Sequence, residues 1–328
     1  MSSRIFNQTK KCKIILSGGD FLEDFLSVKD FDLKVEKVDL KLTIESPLNK
    51  NTISASETEL EKILNDDYKT EKLISELGIN PKSDFYELSS RERFYEILRI
   101  LGPGSIRTSQ PNEFDFKKSL EDIENHDLIV ISTISSKLSG TYQSALMAVN
   151  QLPENDKNKI YVVDSKSVSK MVGYSALRGL EDILKNNFKN DYDYSSEVFM
   201  RGLIFDLRYI DVGGRGEVLK HIVKLISTFK IVPLITLENG NIKLLNVLRG
   251  EKKPIIAFSE NLFEELNKNK EQYDNAVLIY TSKNTKERLG EVEELLNKNK
   301  IKSEYVCSDF VLGTHFGTES VGYFVYKR

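Results

Sequence analysis

Thr133, Ser135, Ser136, Ser139 and Thr141 crowd hydroxyl groups into one short stretch, with Gly140 among them. Hydroxyls donate and accept hydrogen bonds without carrying charge, which suits them to holding a phosphate or a carboxylate. The pattern from Tyr142 onward reads as a helix. Its first turn would add free backbone N–H groups and the positive end of the helix dipole, both favourable to an anion. The plainer alternative is that Ser139 or Thr141 merely caps that helix, although the group holds more hydroxyls than one cap requires. Neither GxxxxGK[ST] nor a clear GxGxxG is present, so a nucleotide or phosphate binder using this helix end is a poor fit. Three further places could do chemistry. Thr108 and Ser109, before Gln110-Pro111, are either a turn leading into a helix or polar ligand groups. Arg215 follows Gly213-Gly214 at the start of an expected helix, where a cation opposes the dipole; it is a solvated side chain or one placed to meet an anion or a partner. His315 stands between Gly313 and Gly317, small neighbours that allow a ligand or another chain to come close. A serine hydrolase using His315 would need a nucleophile elbow, and no GxSxG occurs.

The elements that must position these groups follow from the apolar pattern. Leu128–Ile131 is an unbroken apolar run, the mark of a strand buried in a parallel sheet. The hydroxyl stretch then lies at a strand's carboxyl end, where open α/β sheets bind ligands. Ile14–Leu16 is a second such strand, ending in Ser17-Gly18-Gly19-Asp20, with Asp20 as a cap for a helix over 21–28. Ile160–Val163 is a third, followed by Asp164-Ser165 and a helix over 169–184. Alternating strands and helices predict a doubly wound parallel sheet. Ser89 and Glu92 form a capping box for a helix through Leu101, stopped by Gly102-Pro103-Gly104. A helix is expected over 115–123. Residues 41–85 are polar and read as a surface insertion, partly helical. After a polar stretch near 185–196 a second domain begins. It contains a strand-to-helix join at 201–207, a helix from Glu217, and strands over 231–237 and 242–248 joined by Asn239-Gly240, a hairpin signal. Further on come helix 262–266, strand 276–280, helix 285–297, strand 302–306, a loop over 311–317 and strand 323–326.

Composition bounds the class. The chain has 328 residues, 40% hydrophobic and 30% charged, enough for about two domains. The net charge of −3, with acids and bases interleaved, gives no broad basic face for nucleic acid. Cys12 and Cys307 are the only cysteines, as in a reduced cytoplasmic protein, and form neither a disulfide framework nor a metal set. The first residues lack a signal-peptide core, and no run reaches the ~18 apolar residues of an integral membrane segment.

Taken in order, the motifs resemble the DegV family of bacterial fatty-acid-binding proteins along residues 86–328. The matching residues are Thr108-Ser109-Gln110-Pro111, Ile134-Ser135-Ser136-Lys137-Leu138-Ser139-Gly140-Thr141-Tyr142-Gln143-Ser144-Ala145 and Val163-Asp164-Ser165. They continue with Leu207-Arg208-Tyr209 before Gly213-Gly214-Arg215, Val232-Pro233-Leu234 with Asn239-Gly240, Arg249, and Gly313-Thr314-His315-Phe316-Gly317. The resemblance implies two α/β domains, the first a doubly wound parallel sheet and the second a mixed sheet, with one long-chain fatty acid between them. The expected division is 1–172, carrying the insertion 41–85, and 173–328. It also implies a non-catalytic subunit of fatty acid kinase, without cofactor or metal, whose bound acid is phosphorylated by a separate kinase chain for phospholipid synthesis. Thr108, Ser109, Ser135, Ser136, Ser139, Gly140 and His315 would hold the carboxylate, and Arg215 would serve kinase docking or transfer. A lipid sensor or storage protein of the same family, without kinase coupling, is the alternative. The chain departs from the family pattern at Ser17-Gly18-Gly19-Asp20, where Thr-Asp-Ser-Thr is usual, and at Thr318-Glu319, where Pro-Gly follows the glycine after the histidine.

Overall fold

Ile14–Leu16 and Leu128–Ile131 form adjacent parallel strands, as their unbroken apolar character requires. The computed structural model describes residues 10–20, 31–189, 192–210 and 231–327. It divides into two compact units, each discontinuous in sequence: 1–38 with 111–192, and 39–110 with 193–328. The expected cut at 172/173 falls inside the helix Lys170–Leu184, whose Met171, Val172, Leu177 and Leu180 are buried and which belongs whole to the first unit. The segment 41–85, expected as an insertion in the first domain, groups with the second unit.

In the first unit, with strands numbered along the chain, β1 (Lys10–Ser17), β2 (Phe31–Lys37), β6 (Leu128–Thr133) and β7 (Ile160–Asp164) make a parallel sheet of order β2-β1-β6-β7. One face packs Ile15, Ile129 and Ile131 against Phe116 and against Ala145, Ala148 and Val149 of the helix Thr141–Asn150. The helix Lys170–Leu184 takes the other face, where Ser132 Oγ donates to Val172 O at 2.9 Å. Register places Ser17, Thr133 and Asp164 side by side at the carboxyl ends. Lys13 is buried within β1, its ammonium donating to Ser119 O (2.6 Å) and pairing with Asp122 (2.7 Å) and Glu36 (2.9 Å).

The second unit holds two sheets. The smaller is antiparallel, of order β4-β3-β5, from β3 (Lys41–Glu45), β4 (Thr52–Ser56) and β5 (Ile106–Ser109). The larger has order β10-β9-β8-β13-β11-β12, from β8 (Val198–Ile204), β9 (Ile231–Glu238), β10 (Asn241–Arg249), β11 (Asn275–Tyr280), β12 (Lys302–Cys307) and β13 (Ser320–Tyr326). It is mixed: β11 pairs with β12 in parallel and with β13 antiparallel. Asn239 and Gly240, at φ 50° and 80°, make the expected hairpin turn, since both positions of such a turn need positive φ.

Several expected elements change. The 41–85 segment is a hairpin followed by the helices Glu57–Leu64 and Asp67–Glu76, with Leu42, Ile44, Leu60, Leu64, Leu73, Leu77 and Phe85 buried in one core. It is part of the unit's interior rather than a surface addition. The helix expected over 115–123 is Glu113–Lys118. The one expected over 285–297 breaks into Lys283–Glu287 and Gly290–Lys298. The expected loop 311–317 is the helix Phe310–Phe316. The helices expected over 21–28 and from Glu217, and Arg215, lie outside the described residues. Among the described residues no helix is long and apolar enough to cross a membrane.

Candidate functional site

Thr108 and His315, far apart in sequence, meet within the second unit: Thr108 Oγ1 lies 3.0 Å from His315 Nε2. Each is delivered by its own element. Thr108 sits on β5, opposite Leu42 of β3, so the 41–45 strand fixes its place. Ser109, next in the chain, is exposed opposite Lys41. His315 is carried by the helix Phe310–Phe316, whose N-cap, Asp309, accepts the Leu312 N–H at 2.7 Å. Burial holds the imidazole below the ordinary histidine range, so near neutrality it is uncharged. A neutral ring beside a hydroxyl can exchange donor and acceptor roles by changing tautomer. Such a pair keeps one polar hydrogen free to donate to a carboxylate, without a permanent counter-ion. Among the described residues no carboxylate bonds the other ring nitrogen, as a catalytic triad would require.

Both glycines of the Gly313-Thr314-His315-Phe316-Gly317 motif are occupied by tyrosines of this chain. A Cβ on Gly313 would lie 2.4 Å from Tyr95 Oη, and one on Gly317 would lie 2.5 Å from Tyr209 Cδ2. Gly317 also has φ +78°. The small neighbours of His315 therefore admit rings of the same unit, a reading the sequence left open between a ligand and another chain. Glu319 forms an ion pair with Arg288 at 3.1 Å, and the Arg288 guanidinium lies 4.1 Å from the Phe205 ring centre.

The hydroxyl stretch belongs to the first unit, at the carboxyl end of β6. Much of it is bonded internally. Ser135 is fully buried, its N–H donating to Ser167 O (2.9 Å) and its Oγ accepting from Lys137 N (3.2 Å). Ser136 donates through both N–H (3.0 Å) and hydroxyl to Asp164. Ser139 Oγ is 2.8 Å from Thr141 Oγ1 and accepts the Thr141 N–H. Gly140 is the N-cap of Thr141–Asn150, without a side-chain cap bond. Thr133 Oγ1 is buried with no partner among the described residues. The structure thus joins Thr108 to His315, and places Ser135, Ser136, Ser139 and Gly140 together in the other unit. Sequence reading missed Asp164 as the acceptor that shapes this loop, although Val163-Asp164-Ser165 was among the recurring motifs. No group of three or more His, Cys, Asp or Glu suited to a metal ion occurs among the described residues.

Comparison with known proteins follows the same outline. Residues 82–328 match a family model described as an uncharacterised protein of the DegV family. A DegV domain-containing protein of Caldanaerobacter subterraneus is 30% identical over 253 residues, 73% of this chain and 84% of that protein. A fatty acid-binding protein of Thermotoga maritima is 29% identical over 252 residues, 70% of this chain and 80% of the other. Among solved structures, the fatty acid kinase (Fak) B3 protein of Streptococcus pneumoniae, loaded with linoleic acid, aligns with a TM-score of 0.65. It is 16% identical, with 96% of this chain and 99% of that one covered.

Proposed function

The chain belongs to the DegV family, and on that premise we propose that it binds a long-chain fatty acid and presents the carboxylate to a separate, ATP-dependent fatty acid kinase chain that forms the acyl-phosphate. The observation that carries this reading is the Thr108–His315 pair, a hydroxyl and an imidazole at 3.0 Å. The name of the Thermotoga relative supports the ligand class, and that of the Streptococcus neighbour supports the coupling to a kinase.

The energetics suit this division of labour. About fifteen methylenes at ~0.8 kcal/mol each supply roughly 12 kcal/mol before ordering costs. Affinity then comes from the tail, and the head-group residues need only fix register and satisfy the carboxylate oxygens. The mutual bond of Thr108 and His315 uses one of the pair's two polar hydrogens, so the pair gives the carboxylate one hydrogen bond, from the hydroxyl or the ring according to the tautomer. Ser109, Ser135, Ser136, Ser139 and Gly140 are the further candidates for the head group, and Arg215 for kinase docking or transfer. The chain itself does no chemistry. It holds the carboxylate oxygen for in-line attack on a γ-phosphate bound by the partner.

Mass spectrometry of an organic extract of the denatured protein tests the ligand. A stoichiometric long-chain fatty acid is expected, and Thr108→Val or His315→Gln should weaken oleate binding. An empty extract, with no binding of added oleate or palmitate, overturns the reading. Trapping with hydroxylamine in the presence of ATP and a kinase chain tests the coupling. A loaded protein that never yields a hydroxamate would be a storage or sensing protein.

A further inference from the structure

The helix that carries His315 is short, and something must set its height and rotation. Tyr95 touches it twice. Its ring is buried, and its hydroxyl donates to the backbone carbonyl of Asp309, the helix N-cap, at 3.2 Å. Its far edge lies against Gly313, where a Cβ would sit 2.4 Å from Oη and 2.6 Å from Cε1 and Cζ. Gly313 is thus bare because Tyr95 fills the place of its side chain. The neighbouring Phe94 meets Phe310, the first residue of the same helix, with ring centres 4.7 Å apart.

Tyr95 is itself held firmly. It lies on the helix Ser90–Leu101, closed at its start by the Ser89–Glu92 capping box. Arg93 on that helix is buried and donates to Leu64 O at 2.8 Å, tying it to the end of Glu57–Leu64. One core cluster contains Leu42 and Ile44 of β3, Leu60, Leu64, Phe94, Tyr95 and Phe310. The segment over 41–85 therefore supports both members of the pair: β3 pairs with the strand of Thr108, and Glu57–Leu64 backs the helix of Tyr95, which in turn meets the helix of His315.

We propose that Tyr95 is a positioning residue that, acting through Asp309 O and Gly313, sets the helix of His315 and hence the Thr108–His315 hydrogen bond. The importance of this for lipid rests on the function proposed above, while the geometry is testable without any lipid. Polar groups at fixed sites hold their geometry only when the side chains behind them are themselves locked by packing and hydrogen bonds. Burial of the Tyr95 hydroxyl, which pushes its pKa well above the usual tyrosine value, keeps it a hydrogen-bond donor at any working pH.

The experiment is an NMR titration of the histidine rings in lipid-free protein. The chain has only His126, His221 and His315, and His315→Gln identifies the resonance. Four variants are compared with the wild type: Tyr95→Phe, Gly313→Ala, the double variant Tyr95→Leu/Gly313→Ala, and Leu296→Ala in the separate core of the six-stranded sheet. Tyr95→Phe should move the His315 midpoint upward, toward the ordinary value, by roughly half a pH unit. Gly313→Ala should move it further, and the double variant should recover part of that change because the shorter side chain vacates the site of the clash. Leu296→Ala should lower the melting temperature and leave the midpoint alone. The proposal is overturned if Tyr95→Phe leaves the midpoint unchanged, or if Leu296→Ala shifts it as much. Should Gly313→Ala not fold, Tyr95→Phe and Leu296→Ala decide the matter. Failure of the wild type to bind oleate would refute the proposed function and leave this result standing.

Discussion

Gly317→Ala tests the local geometry most sharply. The residue closes the His315 helix, its N–H donating to Gly313 O at 2.8 Å, with φ +78° and ψ −170°. That backbone conformation is essentially restricted to glycine, and an alanine there costs about 1–3 kcal/mol. The new Cβ would also lie 2.5 Å from Tyr209 Cδ2 and 2.7 Å from Cγ, where carbon atoms ordinarily keep ~3.5–4.0 Å. Tyr209 is buried and its hydroxyl donates to Leu98 O at 3.3 Å, so the ring cannot simply swing away. Overpacking of this kind adds about 1–3 kcal/mol. The sum is roughly 2–6 kcal/mol, which should lower the unfolding transition of the second unit by on the order of 10 °C. Calorimetry and urea unfolding measure it. Tyr209→Leu/Gly317→Ala separates the two parts: removing the ring should cancel the steric cost, giving a coupling of about 1–3 kcal/mol, and leave the backbone cost. A Gly317→Ala protein within about 0.5 kcal/mol of wild type would refute the reasoning, and strict additivity in the double variant would refute its steric half.

Three further outcomes are expected. His315 binds its proton less readily in the folded protein than in the unfolded chain, which takes it up near pH 6.5. The unfolded state therefore holds more protons just below that pH, and stability should fall as the pH drops below about 6.5 and level off below the folded midpoint. Urea midpoints from pH 8 to 5 should show a decline that His315→Gln reduces, and an unchanged slope in that variant would count against it. Asp122→Asn removes one carboxylate from the buried Lys13, leaving Ser119 O and Glu36. About 2 kcal/mol should be lost by chemical denaturation, more than a surface pair is worth, while Lys13→Met should cost less because no buried charge remains. Burial pushes the Cys307 and Cys12 thiols up to about 12 and about 11, so a thiol-specific reagent should react slowly with native protein and rapidly with both cysteines once it is unfolded.

What could be read from the sequence was local in origin. The apolar run before Ser132, the Asn239-Gly240 turn and the Ser89–Glu92 box each act through neighbouring residues, and each forms as expected. The hairpin at 41–56 was missed although Leu42 and Ile44 alternate with polar residues, because so short an alternation among charged residues is a weak signal. Its place in the second unit depends on the pairing of β3 with β5, which no local pattern reveals. Phe310–Phe316 looked like a loop because Gly313 lowers its helix propensity and Gly317 follows it directly. Its Asp309 cap and its packing on Phe94 and Tyr95 override that. Thr108 and His315 each stood out as a residue in an odd setting, but only the resemblance linked them. Which hydroxyls of the 133–141 stretch stay uncommitted was illegible, since it turns on Asp164 at the β7 end and on the bond between Ser139 and Thr141.

The last strand described, β13, runs through the middle of its sheet, between β8 and β11. During synthesis the β8–β10 side and the β11–β12 side must therefore wait as separate halves, each with an unpaired edge, until residue 326 has left the ribosome. At ~5–20 residues per second the delay after Ile204 is on the order of ten seconds. Exposed strand edges are templates for pairing with other chains, so this interval is one in which the chain is open to aggregation. An arrest-peptide force profile should accordingly show the main folding step of the second unit only after Tyr326 emerges. The late closure predicts that nascent-chain chaperones, which cover exposed strand edges, raise its yield.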